Sequence, residues 1–141
     1  MAVELQHVPL FSCLSQRQLK RLERRFQERE FAAGRPVVKQ GEMSGVGFFV
    51  ISDGEASVQV DGETVKRLGP GDHFGELALI SEQVRTATVT AESPLTCRVI
   101  TFWDFREFAK DNPEIVWELL QQVVGMLADE QSRRSDGTAS G

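Results

Sequence analysis

The sequence predicts an α+β chain: an antiparallel jelly-roll β-barrel of short strands, with one helix before it and two after it. Three observations predict it. Between Arg29 and Thr101, Gly34, Gly41, Gly45, Gly47, Gly54, Gly62, Gly69, Gly71 and Gly75 recur at intervals that leave no room for a long helix. The pieces between them are rich in β-branched and aromatic residues, and Asp-Gly pairs punctuate them. Outside that window the apolar residues shift to helical spacing, each run opened by a capping residue.

The first helix is expected from Gln16 to about Gln27. Ser15 and Gln18 stand at capping-box spacing, with Leu14 and Leu19 placed as a hydrophobic staple. Leu19, Leu22 and Phe26 then give it one apolar face. Its other faces carry Arg17, Lys20, Arg21, Arg24, Arg25 and Arg29, a solvated charge run or else a dock for an acidic partner. Strands are expected at Val46–Ile51, Ala56–Val60, Thr64–Leu68, Thr86–Ala91 and Leu95–Thr101. Asp53-Gly54 and Asp61-Gly62 read as hairpin turns, since both residue types tolerate positive φ. Thr101 and Asp104 form a second capping-box pattern ahead of Phe105, Phe108 and Ala109. Asn112-Pro113-Glu114 restarts a helix, with Asn as N-cap, Pro at N1 and an acid in the first turn. Ile115, Leu119, Val123 and Met126/Leu127 mark its stripe to about Gln131. Residues 1–131 are thus expected as one domain, and 132–141 as a polar, disordered tail.

Composition narrows the function. A chain of 141 residues with 40% hydrophobic content suits one folded domain with a real core. A formal charge of −5 argues against a globally basic nucleic-acid surface and against charge-driven lipid docking. Cys13 and Cys97 stand far apart, outside any CxxC, and read as buried or partly buried free thiols. Two histidines, His7 and His73, are too few for a cupin-like metal site, and no nucleophilic triad stands out. The chain is therefore not expected to be an enzyme, to hold a metal or to need a cofactor. His73 reads as a turn or supporting residue. Met1–Leu5 has no leader pattern and Val46–Ile51 is far short of a membrane span, so a cytoplasmic protein away from membranes is expected.

One segment carries chemistry: Phe74-Gly75-Glu76-Leu77-Ala78-Leu79-Ile80, then Ser81–Val84, then Arg85-Thr86-Ala87. Glycine permits a sharp turn and close approach of a ligand to the backbone. A short helix opening at Glu76 would aim N–H groups, that of Ala78 included, at an anion, and Arg85 can add a bidentate guanidinium. Glu76 would repel a bare phosphate. It makes sense where the ligand also carries hydroxyls, and an anion, a hydroxyl and an apolar wall together describe a nucleotide.

Gly75-Glu76-Leu77-Ala78-Leu79 followed by Arg85-Thr86-Ala87 resembles the phosphate-binding cassette of cyclic-nucleotide-binding domains. That family includes catabolite activators, regulatory subunits of cAMP-dependent kinases and cyclic-nucleotide-gated channels. Phe31-Ala32-Ala33-Gly34, Lys39-Gln40-Gly41-Glu42, Phe49–Gly54 and Leu68-Gly69-Pro70-Gly71-Asp72 extend the similarity, which spans roughly Val8 to Gln131.

The resemblance implies a short phosphate-cassette helix and a residue-by-residue set of roles. Glu76 would accept from the ribose 2′-hydroxyl and Arg85 would pair with the cyclic phosphate. Backbone N–H groups around Gly75, Leu77 and Ala78 would complete the cradle, with Thr86 adding a hydroxyl. The alternative is a ligand-free domain in which Glu76 and Arg85 merely pair with each other. Phe74, Glu130 and Gln131 are candidate base or lid contacts, and the two last helices would close over the base by a swing at Asp111-Asn112-Pro113. Bacterial members mostly use cAMP, which makes it the expected ligand. Thr86 and Glu130 keep cGMP open, because a hydroxyl and a carboxylate can meet guanine's donors; a solvated Glu130 would not discriminate. With only ten residues after Gln131, no recognition helix is expected, so the partner would be a protein effector and not DNA.

Overall fold

The computed structural model describes residues 5–42, 47–79 and 85–139. Expectations that fall on Met1–Glu4, Val46 or 80–84 lie outside the described residues, as do the side chains of Leu77, Ala78 and Glu130. The elements in chain order are α1 (Gln16–Glu23), β1 (Gln27–Phe31), β2 (Pro36–Val38), β3 (Phe48–Asp53), β4 (Ala56–Val60) and β5 (Glu63–Leu68). They continue with β6 (His73–Phe74), β7 (Thr88–Ala91), β8 (Leu95–Ile100), α2 (Phe102–Asp111) and α3 (Glu114–Ala139). One antiparallel sheet runs β1-β8-β3-β6 and the other β2-β7-β4-β5. Two antiparallel sheets face to face, flanked by helices, are the jelly roll that the strand pattern predicts.

β3 shows why its run is almost wholly apolar. Alternate side chains of a strand point to opposite faces. Phe49 and Ile51 therefore enter the space between the sheets, with Phe74, Leu95, Cys97 and Val99. Phe48 and Val50 face a helical layer that holds Phe11, Leu22, Phe105, Phe108, Ile115 and Leu119. Both cores share this strand, and β8 as well, through Ile100 on the helical side and Leu95, Cys97 and Val99 between the sheets.

The capping box of α1 forms: Gln18 N–H donates to Ser15 Oγ at 3.2 Å, and Ser15 N–H donates to Gln18 Oε1 at 2.8 Å. The helix stops at Glu23, however, and not at Gln27, because Gln27–Phe31 pairs with β8 as a strand. Its polar sequence and exposed face hide it from a periodicity search. The segment before α1 is no mere lead-in. Two 3₁₀ turns, Leu5–His7 and Pro9–Phe11, bury Leu5, Val8, Leu10 and Phe11 completely.

Asp61-Gly62 makes the expected hairpin, with φ of 53° and 84°. Asp53-Gly54 does not. It carries the chain from one sheet to the other, since β3 and β4 pair with different neighbours. Gly54 has φ 91°, and a Cβ there would lie 2.3 Å from the Pro94 carbonyl oxygen.

Thr101 caps α2 by accepting from Asp104 N–H at 3.2 Å. Asn112 does not cap α3 with its side chain. Its Nδ2 donates to the Phe108 carbonyl at 2.9 Å, so it finishes α2, and its Oδ1 accepts from Gln18 Nε2 at 2.8 Å. Asn112 is buried, and its hydrogen bonds satisfy it there. On α3, Ile115, Leu119 and Val123 pack on the barrel side as expected. Leu127 falls on a second, exposed face with Val116, Trp117, Leu120 and Val124. The helical backbone continues to Ala139 where a disordered tail is expected from Ser132; once a helix is nucleated, each further residue adds one hydrogen bond. Both thiols are free. Cys97 is buried and pushed up to about 12 by desolvation, whereas Cys13 is exposed, contrary to the buried or partly buried expectation.

Candidate functional site

Arg85 reaches the site because two loops hold it there. Its N–H donates to the Glu42 carbonyl at 3.0 Å, and Gly41 N–H donates to its carbonyl at 2.9 Å. Gly41, at φ 85°, lets the Gln40–Gly41 turn present both groups to one residue. Gln40 clasps the β4–β5 hairpin in turn, donating from Nε2 to Asp61 Oδ1 at 3.0 Å. The Lys39–Glu42 motif is thus a backbone clamp on the arginine, a role its spacing does not reveal. Arg85 Nη2 donates to the Gly47 carbonyl at 3.1 Å. The side chain is buried, and desolvation lowers its pKa from the ordinary arginine range.

Glu76 arrives by another route. Gly69 N–H donates to Asp72 Oδ2 at 2.8 Å, while Gly71 N–H and Asp72 C=O bond to Ile51 at 2.8 and 2.9 Å. The turn is thereby pinned to β3, and β6 follows. Phe49 and Phe74 stack with ring centroids 4.7 Å apart. Gly75 then turns at φ 89° into a 3₁₀ turn over Glu76–Leu79, the short helix the sequence predicts. A Cβ on Gly75 would sit 2.9 Å from both Arg85 Nη1 and the Gly47 oxygen, so glycine lets the arginine lie against the turn. Glu76 is buried and its Oε1 meets His73 Nδ1 in a hydrogen-bonded pair.

These residues converge on a cavity of about 300 Å³. Its polar lining includes Glu76, Arg85, Thr86, His73 and Lys66. Its apolar wall comes from Val38, Val58, Leu68 and Val89, with Phe74 and Gly75 at the turn. Gln122 and Met126 of α3 also line it, Met126 while still exposed to solvent. Of the expected contacts, Gly75, Glu76, Arg85, Thr86 and Phe74 line this cavity. Leu77 and Ala78 contribute backbone to the 3₁₀ turn. Gln131 is exposed and outside the cavity lining; it lies five residues beyond Met126, the last α3 residue on that lining, about 7.5 Å further along the helix. Gln122, Met126 and Lys66 were not anticipated. Gln122 is a polar residue in the inward stripe, the one signal that pointed to it. Among the described residues no group of three metal-ligating side chains occurs, and no helix is long and apolar enough to cross a membrane.

A jelly roll that gathers a buried acid, a buried arginine and an apolar wall around one cavity is a small-molecule-binding domain. The sequence profile of the cyclic nucleotide-binding domain matches residues 28–112, and the chain belongs to that family. It is 44% identical over 92 residues to a cAMP-dependent protein kinase regulatory subunit of Schizosaccharomyces pombe, covering 64% of this chain and 22% of that protein. It is 33% identical over 93 residues to a cGMP-dependent protein kinase of Toxoplasma gondii, covering 66% of this chain and 9% of that one. The chain therefore spans less than a quarter of either relative. Among solved structures, the Thermus thermophilus catabolite activator protein superposes with a TM-score of 0.82 at 22% identity, over 92% of this chain and 63% of that one. That likeness is one of fold.

Proposed function

We propose that this chain is a cytoplasmic, non-catalytic sensor of a 3′,5′-cyclic mononucleotide, cAMP first, whose α2 and α3 close over the base and signal to a protein effector. Glu76 and Arg85 carry this function: opposite charges, both buried, from separate segments, on one cavity. Arg85 would pair with the cyclic phosphate, which offsets the desolvation that lowers its pKa. Glu76 would accept from the ribose 2′-hydroxyl. N–H groups of the turn at Gly75, Leu77 and Ala78, with the Thr86 hydroxyl, would complete the phosphate cradle. Gln122 and Met126 place α3 against the cavity, which supports the closing motion. To move a 1:99 equilibrium to 99:1, the ligand must prefer the closed state by about 5.5 kcal/mol.

Calorimetry with cAMP and cGMP tests the assignment. Arg85→Ala should weaken binding by about 2–5 kcal/mol, roughly 30- to several-thousand-fold, because the phosphate loses its countercharge. Wild-type affinity in that variant would overturn the site. Thr86 at the cavity supports cGMP as the second reading, since its hydroxyl can also meet a guanine amino group. A tenfold or greater wild-type preference for cGMP, lost in Thr86→Ala, would replace cAMP as the ligand.

A further inference from the structure

His73, read from the sequence as a turn or supporting residue, lies in contact with Glu76, the buried carboxylate on the cavity lining. It opens β6, paired in register with Val50 of β3. Its ring packs on Phe48 at 5.4 Å between centroids, with the planes tilted by 43°. Its Nδ1 meets Glu76 Oε1, three residues on, across the Gly75 turn. The side chain is 22% exposed and borders the same cavity as Glu76.

Given the assignment of Glu76 to a ribose hydroxyl, on which this rests, we propose that His73 is a positioning residue for Glu76. A carboxylate on a flexible stem must be held still before it can read a single hydroxyl. The Phe48 ring and the β3 ladder fix the imidazole, and the imidazole engages Oε1 of the carboxylate. Oε2 is then the oxygen left to accept from the ligand. The arrangement also removes a cost: an imidazole N–H on Oε1 satisfies part of a buried acid that would otherwise need water. His73 is thus placed to set selectivity for a 2′-hydroxyl without touching the nucleotide's phosphate.

The experiment compares cAMP with 2′-deoxy-3′,5′-cyclic AMP by calorimetry on the full chain, in wild type, His73→Phe and His73→Asn. Phenylalanine keeps the ring on Phe48 and loses the nitrogen. Asparagine loses the ring and keeps an amide near the Nδ1 position. Wild type should prefer the ribonucleotide by about 10- to 100-fold, the value of a hydrogen bond to a charged group. His73→Phe should lose most of that preference while binding the deoxynucleotide within about twofold of wild type. His73→Asn should restore much of it. Thermal melting checks folding, and His73→Ala replaces the phenylalanine variant if that one fails to fold. A full ribose preference in His73→Phe overturns the positioning role, as does an equal loss for both nucleotides in His73→Asn alone, which would mark a packing residue. Absence of any ribose preference in wild type would instead overturn the Glu76 assignment itself, and this inference with it.

Discussion

Gly54 and Gly75 are the same residue type with nearly the same backbone, φ 91° and 89°, yet they answer to different demands. At Gly54 the obstacle to a side chain is the Pro94 carbonyl, at a corner between sheets. At Gly75 the obstacles are the Gly47 carbonyl and the guanidinium of Arg85. Alanine at either position should cost roughly 1–3 kcal/mol of stability through strain and displacement, read by thermal or denaturant unfolding. The Gly75→Ala variant alone should also lose nucleotide affinity, since Arg85 must move. Equal ligand affinity in the two variants would mean the arginine is not held in place by the turn.

At the scale of elements, the joint between α2 and α3 is the place where sequence and structure part most usefully. The pre-proline stop at Asp111-Asn112-Pro113 is legible in the chain, and both helices end and start there. What cannot be read from the chain is that Gln18, far away in sequence, holds that joint through Asn112 and Glu114. The capping box accounted for one end of the Gln18 amide, and no local pattern reveals where the other end goes. Glu114 is fully exposed, and its carboxyl sits below the ordinary range because its own backbone N–H, then Gln18, stabilise the charged form. A depressed folded pKa gives stability that is present above the unfolded carboxylate value and is lost as pH falls through the folded one. The clasp is therefore intact at neutral pH and loosens in acid. Gln18→Ala should raise hydrogen exchange at Glu114–Leu119 by about fivefold, the equivalent of one ordinary hydrogen bond. Unchanged protection would show that Ile115 and Leu119 hold α3 unaided.

For the molecule as a whole, the parts that sequence disclosed are those with strong local rules. Glycine spacing, the β-rich pieces between the glycines and the Asp61-Gly62 turn led to the jelly roll, and two helix caps placed helices on either side of it. Gly75, Glu76 and Arg85 were legible because their chemistry is unusual together. The missing parts depend on partners distant in the chain. β1 is a polar edge strand made by its pairing with β8, and Leu5–Phe11 is a buried wedge made by the helices around it. Likewise Gln122 stands in the inward stripe of α3, but only the packing of that helix on the barrel brings it to the cavity.

The two outward-facing tryptophans have a spectroscopic consequence. Trp103 stands 60% exposed on α2 and Trp117 63% exposed on α3, and the chain holds no other tryptophan and no tyrosine. Under tryptophan-selective excitation the emission of this protein therefore comes from the two C-terminal helices, while the barrel and its cavity are dark. Emission should begin solvent-like, with no dye attached, and the proposed closure of α2 and α3 on a nucleotide should change it. A calorimetric binding signal with an unaltered spectrum would describe a barrel that fills while its helices stay where they are. The molecule thus carries a built-in lamp on the part proposed to move.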